Sequence, residues 1–128
     1  MNKVFPTGHS KGQEICNRTR AYALRIIRLY QSLRKDEVGR VLGRQLLRSG
    51  TSIGANVEEA QAGQSPADFV AKMSIALKEA RETRYWLLLL HDAEIFSSKL
   101  LLPLLTETEE IIKVLYTIIR NTKQNQRH

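Results

Sequence analysis

The chain has 128 residues, of which 42% are hydrophobic and 26% charged, a composition that suits one folded domain and excludes a disordered tail. Its one cysteine, Cys16, excludes an internal disulfide framework, and its longest apolar run, Tyr85 to Leu90, is far shorter than the roughly 20 residues that cross a bilayer. The first residues contain no apolar block typical of a signal peptide. We therefore expect a single cytoplasmic domain over residues 1–128 that makes no membrane contact.

The net charge of +7 is unevenly distributed along the chain. Residues 1–50 carry eleven Lys and Arg against three acids, a net charge of +8, whereas residues 51–128 carry nine against ten. Such asymmetry favours an anionic partner on one side of the molecule, with nucleic acid as the first candidate. The alternative is that the charge serves only solubility.

Helical periodicity is strong in four places, and no alternating run typical of a strand is present. The first helix is predicted over about residues 13–34. The second is predicted over 37–63, with Asp36 as its N-cap. Gly50 and Gly54 lie inside the second apolar stripe, but the period continues through both, so we predict one long helix whose small residues let a neighbouring backbone approach closely. A break near Ser49–Thr51 is the alternative.

The clearest helix boundary is Ser65-Pro66, an N-cap followed by proline at the first helical position. It predicts a third helix over 66–91, and a fourth follows over 99–121. Residues 7–12 and 121–128 are expected to lie outside regular structure or to fray. Four amphipathic helices joined by short loops predict an all-α fold, an antiparallel up-down-up-down four-helix bundle.

Two segments are apolar around the whole helix circumference, residues 86–90 and 100–105. A helix that buries one stripe needs apolar residues on one face only. Leucine left exposed on a monomer promotes association. We therefore expect the protein to form a homo-oligomer.

Five arginines are candidate phosphate ligands because they step along the outer faces of the first two helices. Three lie on the first helix and two on the second: Arg18, Arg25, Arg28, Arg40 and Arg44. The alternative is a solvated face with scattered ion pairs. Arg48 borders the core instead, and we expect it to pair with a carboxylate near the core. For Glu79 and Glu82 we expect an ion pair with Arg48, Arg81 or Arg84.

Sites for catalysis and metals are not supported by the sequence. Glu79 and Glu82 share a helix flank but have no companion nucleophile. A di-iron bundle needs Glu-x-x-His, whereas Leu88 stands three residues before His91. Cys16 is interpreted as a small core residue. We expect no enzyme activity, metal or cofactor.

Four polar residues occupy positions in the second stripe where a simple bundle has leucine: Gln45, Ser49, Ser52 and Asn56. A structural hydrogen-bond network that specifies helix register is the favoured interpretation, because a buried polar group without a partner costs about 1–3 kcal/mol. A small polar pocket or the lining of an oligomer pore is the alternative.

The same region resembles a known family. Three segments are similar to the signature of the four-helix-bundle proteins, also called 23S rRNA intervening-sequence proteins. They are residues 45–60, QLLRSGTSIGANVEEA, the motif Ser65-x-x-Asp68-Phe69, and the stretch from Lys78 to Leu87. The resemblance covers roughly residues 13–120. One departure is Ala60, where the motif commonly has glycine.

The resemblance implies an antiparallel four-helix bundle that assembles as a homopentamer. Some members are encoded within insertions in bacterial 23S rRNA genes, and the architecture is similar to that of basic accessory proteins of diversity-generating retroelements. No activity is established for the family as a whole. The matching motif residues are therefore interpreted as architectural: Arg48, Ser52, Asn56, Glu59, Glu79, Glu82 and Trp86.

From these observations we expect a non-catalytic bacterial oligomer that binds nucleic acid through a basic surface on the first two helices. RNA is preferred over DNA only because of the family resemblance. The alternative is a structural or adaptor oligomer that binds a protein partner.

Overall fold

The computed structural model describes residues 10–126 of the chain. It contains four helices, α1 over Lys11–Leu33, α2 over Glu37–Gln61, α3 over Pro66–Asp92 and α4 over Ser98–Gln126. The predicted all-α bundle is confirmed, and three helix ends differ from the expected ones by two residues or more. α2 ends at Gln61, two residues earlier than expected. α1 includes Lys11 and Gly12, and α4 continues through the segment expected to fray. The expectations for residues 1–9 and 127–128 lie outside the described residues.

Local capping explains where the first three helices begin. The Asp36 carboxylate accepts a hydrogen bond from the Gly39 amide at 2.7 Å, and the Ser65 hydroxyl accepts one from the Asp68 amide at 3.1 Å. Both caps were predicted. Ser10 caps α1 in the same way, accepting from the Gln13 amide at 3.0 Å, which is why α1 starts earlier than its apolar stripe suggests.

The end of α3 is a left-handed cap without glycine. Glu94 has φ 57°, its amide donates to the His91 carbonyl, and the Ile95 amide donates to the Leu90 carbonyl. These two bonds form the Schellman arrangement that usually places glycine at this position. Because the usual signal is missing, the sequence predicts only a loop here.

Consecutive helices pack closely against each other, and one apolar core runs through the bundle. Each helix contributes side chains that are fully buried, among them Ile26, Leu46, Met73, Leu87 and Ile111. Cys16 is a buried member of this core, as predicted. In residues 10–126, no helix is long and apolar enough to span a membrane.

The α1–α2 contact is close because α2 presents glycines to α1. A Cβ atom added at Gly50 would lie 2.9 Å from two side-chain carbons of Ile26, and one at Gly54 would lie 3.3 Å from the Thr19 hydroxyl oxygen. α2 continues unbroken through both glycines, which confirms the single long helix.

The α1–α4 contact is the most open of the four adjacent helix pairs in the described bundle. Two polar contacts join it, a buried hydrogen bond between the Tyr22 and Thr108 hydroxyls and an ion pair between Arg18 and Glu107. On either side of the ion pair the two helices leave a surface groove. This arrangement determines the environment of the candidate arginines.

Candidate nucleic-acid interface

Arg18 is paired with a carboxylate of α4, although 39% of its side chain remains exposed. Its Nε and Nη2 atoms donate to the two carboxylate oxygens of Glu107 at 2.7 and 2.8 Å. These hydrogen bonds lower the pKa of Glu107 and raise that of Arg18, while partial burial opposes both shifts. The assignment of Arg18 to an exposed basic row is therefore corrected, and its charge holds two helices together.

Arg25 and Arg28 are exposed but lie on the side of α1 that faces α4. Both line a groove with the α4 residues Leu100 and Leu104. Neither makes an ion pair with any residue of 10–126. Two adjacent rows of arginines, one on α1 and one on α2, were expected. This arrangement is not present, because the α1 row faces α4.

Arg40 and Arg44 are exposed on α2 near the α1–α2 turn. Arg34 and Lys35 lie in the turn itself, and within the described structure none of the four is in an ion pair. At 1.5 Å per residue, Arg44 is only about 10 Å along the axis from the start of α2. We call these four residues the turn cluster. Arg34 and Lys35 were missed as site residues although they belong to the same basic segment.

The local acids neutralise the turn cluster only in part. Two carboxylates, Asp36 and Glu37, lie nearby in the chain, against the four cations. Asp36 is already bonded to the Gly39 amide as the cap of α2. An excess of positive charge therefore remains within residues 34–44, on side chains long enough to reach a phosphate.

The family motif residues lie between α2 and α3. Arg48 bridges from α2 to both Glu79, at 3.3 Å between Nη1 and Oε1, and Glu82. The Trp86 indole nitrogen also donates to Glu82, at 3.0 Å. The predicted pairing of Arg48 with these carboxylates is confirmed. The contact connects two helices and leaves the Arg48 side chain 48% exposed.

The predicted polar network within the second stripe is smaller than expected. Ser49 is buried and bonds across to Thr83 on α3, at 2.8 Å between the two hydroxyl oxygens. Ser52 and Asn56 donate only to carbonyl groups of α2, those of Arg48 and Ser52. The interhelical contact expected of Asn56 is therefore absent from the described bundle, because a short amide at this position reaches its own helix first.

Glu59, another motif residue, forms an exposed ion pair with Lys72 of α3, at 2.9 Å. Exposed pairs of this kind stabilise a fold by at most about 1 kcal/mol.

Among the described residues, no group of three or more His, Cys, Asp and Glu side chains is placed to hold a metal ion.

Large apolar side chains remain exposed on every helix of the described bundle. Both segments that were predicted to be apolar all round contribute to this surface, although Leu87, Leu90, Leu101 and Leu104 are buried. The exposed residues are Leu24, Ile27, Val38, Val41, Ile75, Tyr85, Leu88, Leu100, Leu102 and Tyr116.

Comparison with known proteins agrees with the fold and the motif. The family model for the 23S rRNA-intervening sequence protein matches residues 11–117. One similar solved structure is a protein of unknown function from the S23 ribosomal protein family of Bacteroides thetaiotaomicron VPI-5482. It is 42% identical, with a TM-score of 0.82 over 87% of this chain and 99% of that chain. No curated protein matches this chain. The chain therefore belongs to the family of 23S rRNA-intervening sequence proteins.

Proposed function

We propose that this protein is a non-catalytic, cytoplasmic nucleic-acid-binding protein that uses the turn cluster, Arg34, Lys35, Arg40 and Arg44, to contact phosphates. The observation that supports it is the concentration of four cations without ion pairs, within residues 10–126, around one helix–helix turn. Guanidinium groups match phosphate geometry through paired N–H donors. The preference for RNA over DNA comes from the family name.

Binding through this surface is expected to tolerate many sequences. No aromatic residue belongs to the turn cluster, and the nearest tyrosine in the chain, Tyr30, is half-buried and packs beside Gly43. Without an exposed aromatic ring, base stacking is absent and phosphate contacts dominate. For each phosphate contacted, the logarithm of the binding constant should then fall by about 0.7–0.9 for each tenfold increase in salt concentration.

Self-assembly as a homopentamer is part of the same proposal. Exposed apolar residues outside the α1–α4 groove, present on all four helices, support association, and a ring requires two different complementary surfaces on each subunit. Five chains of 14.6 kDa give about 73 kDa. Light scattering at micromolar concentration should report this mass, and a stable 14.6 kDa species would exclude the assembly. Repetition of the turn cluster would raise avidity for a long nucleic acid.

The test is fluorescence anisotropy with a labelled structured RNA and a labelled duplex DNA, each at about 50 mM and 200 mM salt. The double variant Arg40→Glu, Arg44→Glu should lose most of the affinity while keeping its helicity and mass. The matched control is Lys78→Glu, Arg81→Glu, which makes the same charge change at two exposed α3 residues that form no ion pair in the described part of the chain.

Equal losses in the two double variants would contradict a specific surface and indicate a response to net charge alone. A parent protein that binds neither nucleic acid at about 50 mM salt would remove the proposal and favour the adaptor alternative.

A further inference from the structure

The groove between α1 and the start of α4 has a chemistry that nucleic-acid binding does not use. Its apolar lining, here called the floor, consists of Leu29 of α1, Leu100 and Leu104 of α4, and Phe96 of the preceding loop. Leu100 is 60% exposed although it lines this floor. The groove has a volume of about 280 Å³. This is below the range of roughly 300–1,000 Å³ typical of small-molecule pockets, so it suits a few side chains of a larger partner.

The polar edge of the groove is basic. Arg25 and Arg28 lie one helical turn apart along α1, and neither has an ionic partner in residues 10–126. Ser32, the remaining polar residue of the groove, donates its hydroxyl hydrogen to the Arg28 carbonyl at 3.4 Å and so remains associated with its own helix. The groove therefore offers an apolar floor with two cations at one side.

The walls of the groove determine the backbone conformation of its occupant. Leu29 lies inside α1, and Leu100 and Leu104 lie inside α4. Backbone groups in a helix are already paired, so these walls have no strand edge to which an extended peptide could add. An occupant must satisfy its own backbone hydrogen bonds, which a helix does. Helices also pack into grooves between helices through side chains one turn apart.

We propose that this groove binds an acidic amphipathic helix of a partner protein, with its apolar residues on Leu29, Leu100 and Leu104 and its carboxylates on Arg25 and Arg28. The spacing of the two arginines matches Asp or Glu side chains three or four positions apart on the partner helix. A phosphate backbone would leave the apolar floor in water, which is why a protein helix fits this surface better than nucleic acid does.

The test uses a fluorescein-labelled synthetic helix of about 18 residues, or five turns, with leucine on one face and glutamate on its flanks. A peptide of identical composition in scrambled order is the control. Fluorescence anisotropy should show saturable binding of the amphipathic peptide and at least about tenfold weaker binding of the scrambled one. Equal affinity for the two peptides, or no saturation by about 1 mM, overturns the proposal.

Two exposed leucines provide a matched pair of variants. Leu100→Asn changes the groove floor and should weaken peptide binding about tenfold. Leu102→Asn, on the same helix and 50% exposed, lies outside the groove lining and should leave binding unchanged. Equal weakening by both variants contradicts the assigned site. If Leu100→Asn instead lowers the mass in light scattering and leaves peptide binding unchanged, the groove is covered by a second copy of this chain.

Charge reversal separates this site from the proposed nucleic-acid surface. Arg25→Glu with Arg28→Glu should abolish binding of the glutamate peptide and permit binding of its lysine counterpart. Arg40→Glu with Arg44→Glu should leave binding of the glutamate peptide unchanged while reducing RNA binding. Loss of peptide binding in both double variants indicates a response to total charge and contradicts the assignment to this groove.

Discussion

Arg18 and Glu107, 89 positions apart in the chain, form a two-pronged ion pair with N–O distances of 2.7 and 2.8 Å. The pair lies across α1 and α4, the adjacent helices of the described bundle that approach each other least closely. Because a bidentate pair specifies both distance and orientation, it sets the register of α4 against α1. It also divides the α1–α4 seam into two grooves with different chemistry.

This ion pair predicts a specific dependence of stability on pH. Hydrogen bonds from Arg18 lower the pKa of Glu107 in the folded state. Its contribution is therefore complete above the ordinary glutamate pKa of about 4.3 and is lost as the pH falls through the lowered value. Glu107→Gln should reduce the free energy of unfolding by about 1 kcal/mol at pH 7, and the difference should vanish at low pH.

Urea unfolding of both proteins at about pH 7, 5 and 3 measures this difference. Glu59→Gln is the control, because Glu59 pairs with Lys72 at 2.9 Å between α2 and α3 and its side chain is 61% exposed. That change should cost only a few tenths of a kcal/mol at any pH. A Glu107→Gln difference that stays constant with pH would show that the ion pair is not its source.

The close approach of α1 and α2 predicts that Gly50→Ala destabilises the bundle. Alanine favours a helix over glycine by about 1 kcal/mol, but the new methyl group would lie 2.9 Å from carbons of fully buried Ile26. Overpacking of this kind costs about 1–3 kcal/mol, so the net effect should be a loss of stability.

Gly12→Ala tests the steric argument. Its methyl group would meet the end of the exposed Gln61 side chain, which can move away. Thermal unfolding should show a lower Tm for Gly50→Ala and an equal or higher Tm for Gly12→Ala. A stabilised Gly50→Ala protein would mean that α1 and α2 are not in close contact at this position.

The left-handed residue that ends α3 predicts a stabilising substitution. Glu94 has φ 57°, a conformation that costs a residue with a Cβ atom about 1–2 kcal/mol and glycine almost nothing. Glu94→Gly should therefore raise the free energy of unfolding by about 0.5–1 kcal/mol after the greater chain entropy of glycine is subtracted. Glu94→Ala is the control, because it retains the Cβ atom and should not stabilise the protein. If denaturant titrations give both variants the same increase in the free energy of unfolding, backbone strain is ruled out as the cause.

The α2–α3 motif residues predict different outcomes for two substitutions. Glu82 accepts hydrogen bonds from Arg48 and Trp86, so Glu82→Ala should lower the stability by about 1 kcal/mol. Asn56 bonds only within α2 in the described structure, so Asn56→Leu should leave the melting temperature unchanged. A change in mass on Asn56→Leu, measured by light scattering, would place this residue in a subunit contact.

Local signals in the sequence determined the helices of this protein. Asp36 and Ser65 accept hydrogen bonds from amides three residues away, so their role as caps follows from the chain alone. Pro66 favours the first helical position because its φ is restricted and it has no N–H to satisfy. The apolar period likewise identified one continuous α2 through Gly50 and Gly54. Glu94 was missed because its left-handed conformation is imposed by the bonds around it and not by its side chain.

The tertiary structure decided which neighbour each arginine meets. A helical period places Arg18, Arg25 and Arg28 at an angle about the axis of α1, but it does not say whether α2 or α4 stands on that side. An up-down-up-down bundle can turn in either sense with the same buried stripes. In the folded chain α4 stands there, so Arg18 bonds to Glu107 and the other two line the α1–α4 groove, while Arg40 and Arg44 remain at the α1–α2 turn.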